Sequence, residues 1–271
     1  MSTIEIIGYI GALLVGLIMG LTGSGGSVLS VPILAYLFGH DEKTATAYSL
    51  FIVGMTALFG SFKVLKGKSL SPESVVFFGL PSIIGVVIVR RVLLPLMPDT
   101  IFSILGFEFS RRMFIFGLFT LMMLLSAYSM LHKSKLRISH FSRKTVHGSL
   151  MAIGGFLLGI FVGLIGAGGG FIMVPALMIV ARLSIKKSIG TSLVIVCLNC
   201  LVGFFLGDFF TMEPDWNFLF VFVSISFIGI LIGGILTDKI DGQKLKVIFG
   251  YFILMIAMLV FLMEFVLNGA F

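Results

Sequence analysis

Eight stretches of the chain run for sixteen to twenty-two residues with almost no charge: 4–21, 45–62, 74–89, 113–131, 148–166, 188–207, 216–237 and 247–267. A helix needs about 20 apolar residues to cross a hydrocarbon core of about 30 Å. Two further apolar stretches, 27–39 and 170–181, hold only 13 and 12 residues and read as broken or re-entrant helices. Backbone in lipid must bond to itself, so helices are the form these runs can take. A barrel would need alternating polarity, and these runs do not alternate. Composition excludes the other classes. With 58% apolar residues and 11% charged, the chain cannot coat a water-soluble globule and is far too apolar for disorder. Two cysteines in 271 residues exclude a disulfide scaffold. The fold class expected is all-α, a polytopic membrane protein with about eight long helices and two short ones. The first run carries Glu5 and lacks a basic leader, so it is expected in the mature protein.

The chain repeats itself. Residues 16–34 read GLIMGLTGSGGSVLSVPIL and residues 159–177 read GIFVGLIGAGGGFIMVPAL, with nine of 19 positions identical at an offset of 143. The register continues through Lys43/Lys186, Ser49/Ser192, Leu50/Leu193, Val53/Val196 and Gly60/Gly203. Ile115-Phe116-Gly117 then matches Ile248-Phe249-Gly250 at an offset of 133, which places an insertion of about ten residues within 95–110. That insertion is expected to form an amphipathic piece outside the membrane. Three units follow: a first repeat over 1–131, a basic linker over 132–147 and a second repeat over 148–271. Each repeat holds a helix, a glycine turn, a short helix and three more helices. The first two elements return the chain to its starting side, so each repeat crosses an odd number of times. Duplicating an odd unit gives inverted topology.

Loop charge assigns the sides. With both termini outside a cell's inner (plasma) membrane, 14 of the 19 basic residues fall in inside loops, and Lys43, Arg90, Arg91, Arg111 and Arg112 remain outside. The net charge of +7 is therefore orientation charge, and no basic extramembrane domain exists to grip nucleic acid.

The glycine turns carry the chemistry. Gly23, Ser24, Gly25, Gly26 and Ser27 in the first repeat align with Gly166, Ala167, Gly168, Gly169 and Gly170 in the second. Glycine permits positive φ and lets bare backbone approach a ligand. Successive N–H groups in such a turn form a concavity for an anion, and the helix that follows adds its positive end. Ser24 and Ser27 add hydroxyl donors. The competing reading is close helix packing, which suits the Gly16-xxx-Gly20 and Gly159-xxx-Gly163 pairs. The turns are not phosphate P-loops, because no Lys-Ser/Thr follows.

These paired glycine motifs, in about 270 residues of two similar halves, resemble the TauE/SafE family of sulfite exporters, also described as the sulfonate-uptake-permease type. The resemblance spans nearly the whole chain. It implies transport of sulfite, sulfoacetate or related organosulfonates, which are small anions of the kind the amide cradle independently suggests. Ala167 and Gly170 depart from the serines of the first repeat, so hydroxyl donation is expected from the first half alone.

Other polar residues lie within the apolar runs. Asn199 sits mid-helix opposite Thr56 of the first repeat, with Ser49 and Ser192 about two turns earlier. An amide in lipid must face protein or water, so Asn199 either binds substrate or ties a neighbouring helix. The hydroxyls of Ser49, Ser192 and Thr56 are open to substrate or to back-bonding onto their own helix. Cys197 and Cys200 read as small apolar residues, since one helical pair lacks the further ligands of a metal site. Arg90 and Arg91 end a run and are expected to snorkel outward or guide anions at the mouth. Pro81 is expected to kink its helix. No charged residue is expected deep in a span, which argues against an intramembrane carboxylate relay. No metal, cofactor or catalytic residue is expected: no nucleophile–base pair appears in the spans, so the chain does not read as an enzyme. The partners expected are the bilayer and a small anionic substrate. A coupling ion, proton or sodium, and a homodimer both stay open. Against a secondary carrier stand an anion channel and a membrane subunit without transport of its own.

Overall fold

The computed structural model describes residues 3–65, 69–104, 107–132, 148–237 and 242–267. Within them the first half forms α1 (Thr3–Thr22), α2 (Ser27–Leu37), α3 (Glu42–Leu65), α4 (Pro72–Leu96) and α5 (Arg111–Leu131). The second half forms α6 (Gly148–Ile165), α7 (Gly170–Ile179), α8 (Ile185–Asp208), α9 (Trp216–Thr237) and α10 (Gln243–Val266). Eight are long and apolar enough to cross a membrane, and α2 and α7 are the short pair. This is a polytopic helical membrane protein. Most of the basic linker, and the basic residues Lys66, Lys68 and Lys239, lie outside the described residues.

The insertion, expected as an amphipathic piece outside the membrane, is an antiparallel hairpin, β1 (Thr100–Ile104) with β2 (Phe107–Ser110), pairing Ser103 with Glu108 and Ile104 with Phe107. Both strands are rich in β-branched and aromatic residues, which favour a pleat over a helix. The Arg111 N–H donates to the Asp99 carbonyl at 2.8 Å and closes the base of the hairpin. Ser110 then caps α5, its Oγ accepting from the Met113 N–H at 3.2 Å.

Regular α-helical hydrogen bonding gives way at several points. Pro32 and Pro81 each adjoin a wide π-type stretch, Ile33–Leu37 and Val75–Gly79. Such widened turns accommodate the missing donor of proline. Pro175 lies inside α7.

Packing is exchanged between the halves. Helix α1 lies along α9, and its repeat counterpart α6 lies along α4, the counterpart of α9. At the centre α3 packs on α8, and α5 packs on α10. Glycines let these backbones touch. A Cβ on Gly16 would strike the Ser226 carbonyl, and a Cβ on the matching Gly159 would strike the Ser82 carbonyl. Helices in lipid gain little from apolar burial against one another, so close backbone approach of this kind supplies much of their attraction. The reading of Gly16 and Gly159 as packing residues therefore holds. Phe78, Phe116, Phe119, Phe171, Phe204 and Phe222 fill the interior, while Leu121, Ile153, Ile228, Ile235 and Met258 are exposed along the flanks. A water-soluble protein rarely exposes so much apolar side chain, but it suits hydrocarbon as the solvent.

Candidate functional site

The two glycine turns, far apart in sequence, meet inside the protein. All residues of 23–27 and of 166–170 are buried. Gly23 (φ +90°), Gly166 (+71°), Gly168 (+66°) and Gly169 (+63°) occupy the left-handed region, where a side chain is strained. The Ser24 hydroxyl reaches the Gly170 carbonyl and Ser192 Oγ, each at 3.0 Å. A Cβ on Gly170 would strike the Ser24 carbonyl, so the turns touch backbone to backbone.

The turns differ in how their amides are satisfied. In the first, Thr22 Oγ1 accepts from the Gly25 N–H at 3.0 Å. The N–H groups of Ser27, Val28 and Leu29 donate back to the carbonyls of Ser24, Gly25 and Gly26 at 3.1 to 3.3 Å. Much of the first turn is thus capped by itself, while Ser27 Oγ is buried with no partner. In the second, Ile172 and Met173 donate to the Gly169 carbonyl.

The polar residues picked from the spans fall into two groups. Thr56 donates to the Ile52 carbonyl of its own helix at 2.7 Å, the back-bonding alternative. Ser192 does the same to Ile189 at 2.9 Å while also meeting Ser24. Ser49 lies 2.6 Å from Ser30 and ties α3 to α2. Asn199 Oδ1 accepts from Ser82 at 2.9 Å, so it ties α8 to α4. Its Nδ2 is buried without a partner. Cys197 and Cys200 are buried free thiols, and among the described residues no group of three His, Cys, Asp or Glu could hold a metal.

The surroundings of the turns are asymmetric. An apolar cavity lies beside the first turn, lined among others by Thr22, Val174, Met178, Ile189 and Phe249. The Phe249 ring also covers Gly25. The repeat counterpart of Phe249 is Phe116, which is fully buried. Arg112 sits over its ring at 5.5 Å and Tyr36 packs beside it at 5.8 Å. Arg112 Nε in turn donates to Glu264 Oε1 at 2.7 Å, and the Tyr36 hydroxyl donates to Oε2 at 3.2 Å. Arg111 meets Glu42 at 2.7 Å and Asp99 at 2.9 Å. Ion pairs thus gather around Phe116, while Phe249 borders a small apolar cavity.

The sequence model of the sulfite exporter TauE/SafE family matches residues 9–260. The chain belongs to this family. It is 24% identical over 263 residues to the probable membrane transporter protein YunE of Bacillus subtilis, covering 87% of this chain and 89% of that protein. A probable membrane transporter protein of Methanocaldococcus jannaschii is 24% identical over 228 residues, covering 80% and 79% of the two chains. One of Xylella fastidiosa is 29% identical over 117 residues, covering 42% and 44%. No solved structure matches.

This TauE/SafE protein buries charge near the ends of three spans. Arg90 in α4 is 2% exposed and Glu264 in α10 is 1% exposed, and Asp208 ends α8 buried. Arg90 does not snorkel. Its Nη1 donates to Asp208 at 3.2 and 3.1 Å and to Thr46 at 3.3 Å. A guanidinium so deep requires a counter-charge, and one lies 118 residues away at the end of another helix. Neighbouring Arg91 is exposed. The Arg90-Arg91 doublet at the end of an apolar run was the visible signal. Nothing in the sequence paired it with Asp208.

Proposed function

We propose that the protein is a secondary carrier for small sulfur-containing anions, sulfite, sulfoacetate or another organosulfonate, with alternating access about the two glycine turns. One observation carries this: two buried positive-φ turns, one from each half, seated against each other in the core of an eight-span bundle. Broken helices meeting at the interface of two repeats are the usual place for a solute in such carriers. The exchanged packing of α1 on α9 and α6 on α4 supports inverted repeats that rock against one another. The ion pairs of Arg111 and Arg112 around Phe116 support a closed end at that side of the bundle. The family's description as sulfite exporters supports a sulfur-containing anion as substrate. Loop charge supports an orientation with both termini outside the cell membrane. An anion leaving a negative interior is driven by about 2.3 kcal/mol per charge for every 100 mV, so export needs no coupling ion.

The test is flux into proteoliposomes of labelled sulfite, sulfate, thiosulfate, sulfoacetate and taurine under an imposed potassium diffusion potential. The expected result is saturable movement of sulfite or a sulfonate that follows the potential. Absence of flux for all five would overturn the proposal. Ohmic, non-saturating current would replace the carrier with a channel.

A further inference from the structure

The Arg90 side chain is fully buried, yet only one of its three nitrogens is engaged. Nη1 faces Asp208 and Thr46, while Nε and Nη2 have no partner. A guanidinium presents its donors as a rigid planar fork, and Nε–H with one N–H of Nη2 forms a parallel pair along one edge. That edge matches two oxygens of a carboxylate, sulfonate or sulfite. Buried donors are nearly always bonded, and leaving charged ones bare is unfavourable by several kcal/mol. Nη2 lies against Gly166, the first residue of the second glycine turn, where a Cβ would strike both Nη2 and Thr46.

We propose that the Nε/Nη2 edge of Arg90, together with the second glycine turn at Gly166, is the anion-binding site of this protein. The proposal rests on the carrier reading and assigns its charged ligand. Asp208 and Thr46 hold Nη1, fixing the plane of the guanidinium so that the other edge stays aimed at the turn. Asp208 also neutralises the cation, so the anion joins a pair of zero net charge and is held weakly enough to leave again, as transport requires. The site is one-sided. In the repeat register the counterpart of Arg90 falls in the Gly233-Gly234 pair of α9, and the first turn caps its own amides instead. Packing encloses the edge here, so the anion reaches it on a rearrangement beside Gly166.

The test is equilibrium binding of labelled sulfite and sulfoacetate to the purified full chain in lipid nanodiscs. Arg90→Gln should weaken binding by about tenfold or more, and Arg90→Lys should restore only part, since an ammonium lacks the paired edge. Asp208→Asn should bind more tightly, because the guanidinium charge is no longer shared. A purely structural role for Arg90 would not produce that gain. Where Arg90→Gln fails to fold with Asp208 left unpaired, Arg90→Gln with Asp208→Asn removes both charges and should still lose binding. Wild-type affinity in Arg90→Gln or in this double variant, or loosened binding in Asp208→Asn, would overturn the site while the carrier reading stands. Failure of the wild-type protein to bind or move either anion would overturn both.

Discussion

Two glycines with nearly the same backbone conformation separate strain from crowding. Gly168 has φ +66° and Gly39 has φ +69°. A Cβ on Gly39 would meet nothing within 4 Å, whereas on Gly168 it would lie 2.7 Å from Cys200 Sγ and 2.8 Å from Val53 Cγ1. Alanine in the left-handed region costs about 1–2 kcal/mol at either position. Entropy lost from the unfolded chain offsets both equally and cancels in the difference. At Gly168 the overlap adds about 1–3 kcal/mol of overpacking, because Val53 and Cys200 belong to the central α3 and α8 pair and cannot both retreat. Net of that offset, Gly39→Ala should destabilise by about 0–1.5 kcal/mol and Gly168→Ala by about 1–4.5 kcal/mol. Reversible unfolding by denaturing detergent in mixed micelles measures both. Adding Cys200→Ala to Gly168→Ala should recover about 1 kcal/mol, a coupling that Cys200→Ala alone cannot give. Equal destabilisation at the two glycines would show that the second turn is not held between α3 and α8, and the interlocked core would have to be redrawn.

Two other outcomes can be measured. His40, between α2 and α3, has its imidazole pKa lowered from 6.5, chiefly by burial and against the pull of Asp41 and Asp215. The unfolded chain then takes up the proton first, so stability is level above about pH 7 and falls as pH drops through 6.5 towards the folded value. His40→Gln should flatten unfolding midpoints between about pH 7 and 5, and an unchanged slope would remove His40 from the pH response. For orientation, Lys43→Cys should react with an impermeant maleimide on intact cells, and Lys187→Cys only after permeabilisation. Both positions are exposed and the native thiols are buried. The opposite pattern would reverse the sides assigned from loop charge.

Asn199 shows where sequence reading stops. Its amide had to find a partner in lipid, and that much followed from chemistry. Whether the partner was substrate or helix depended on Ser82, which sits 117 residues away and appears only once α4 and α8 are packed. The hairpin of β1 and β2 was not legible in sequence for a different reason. Its residues suit a strand, but a short insertion beside apolar runs carries no register to reveal pairing.

Span number and the glycine turns were legible in the chain alone, because each is local: run length against bilayer thickness, and a backbone that only glycine adopts freely. The meeting of the two turns, the ion pairs around Phe116, and the burial of Arg90 against Asp208 and Gly166 were decided by tertiary structure. Those features join residues on helices far apart in the chain, and charge burial depends on which helix ends happen to converge. A lone arginine at the end of an apolar run looks the same in sequence whether it snorkels to water or turns inward to a carboxylate.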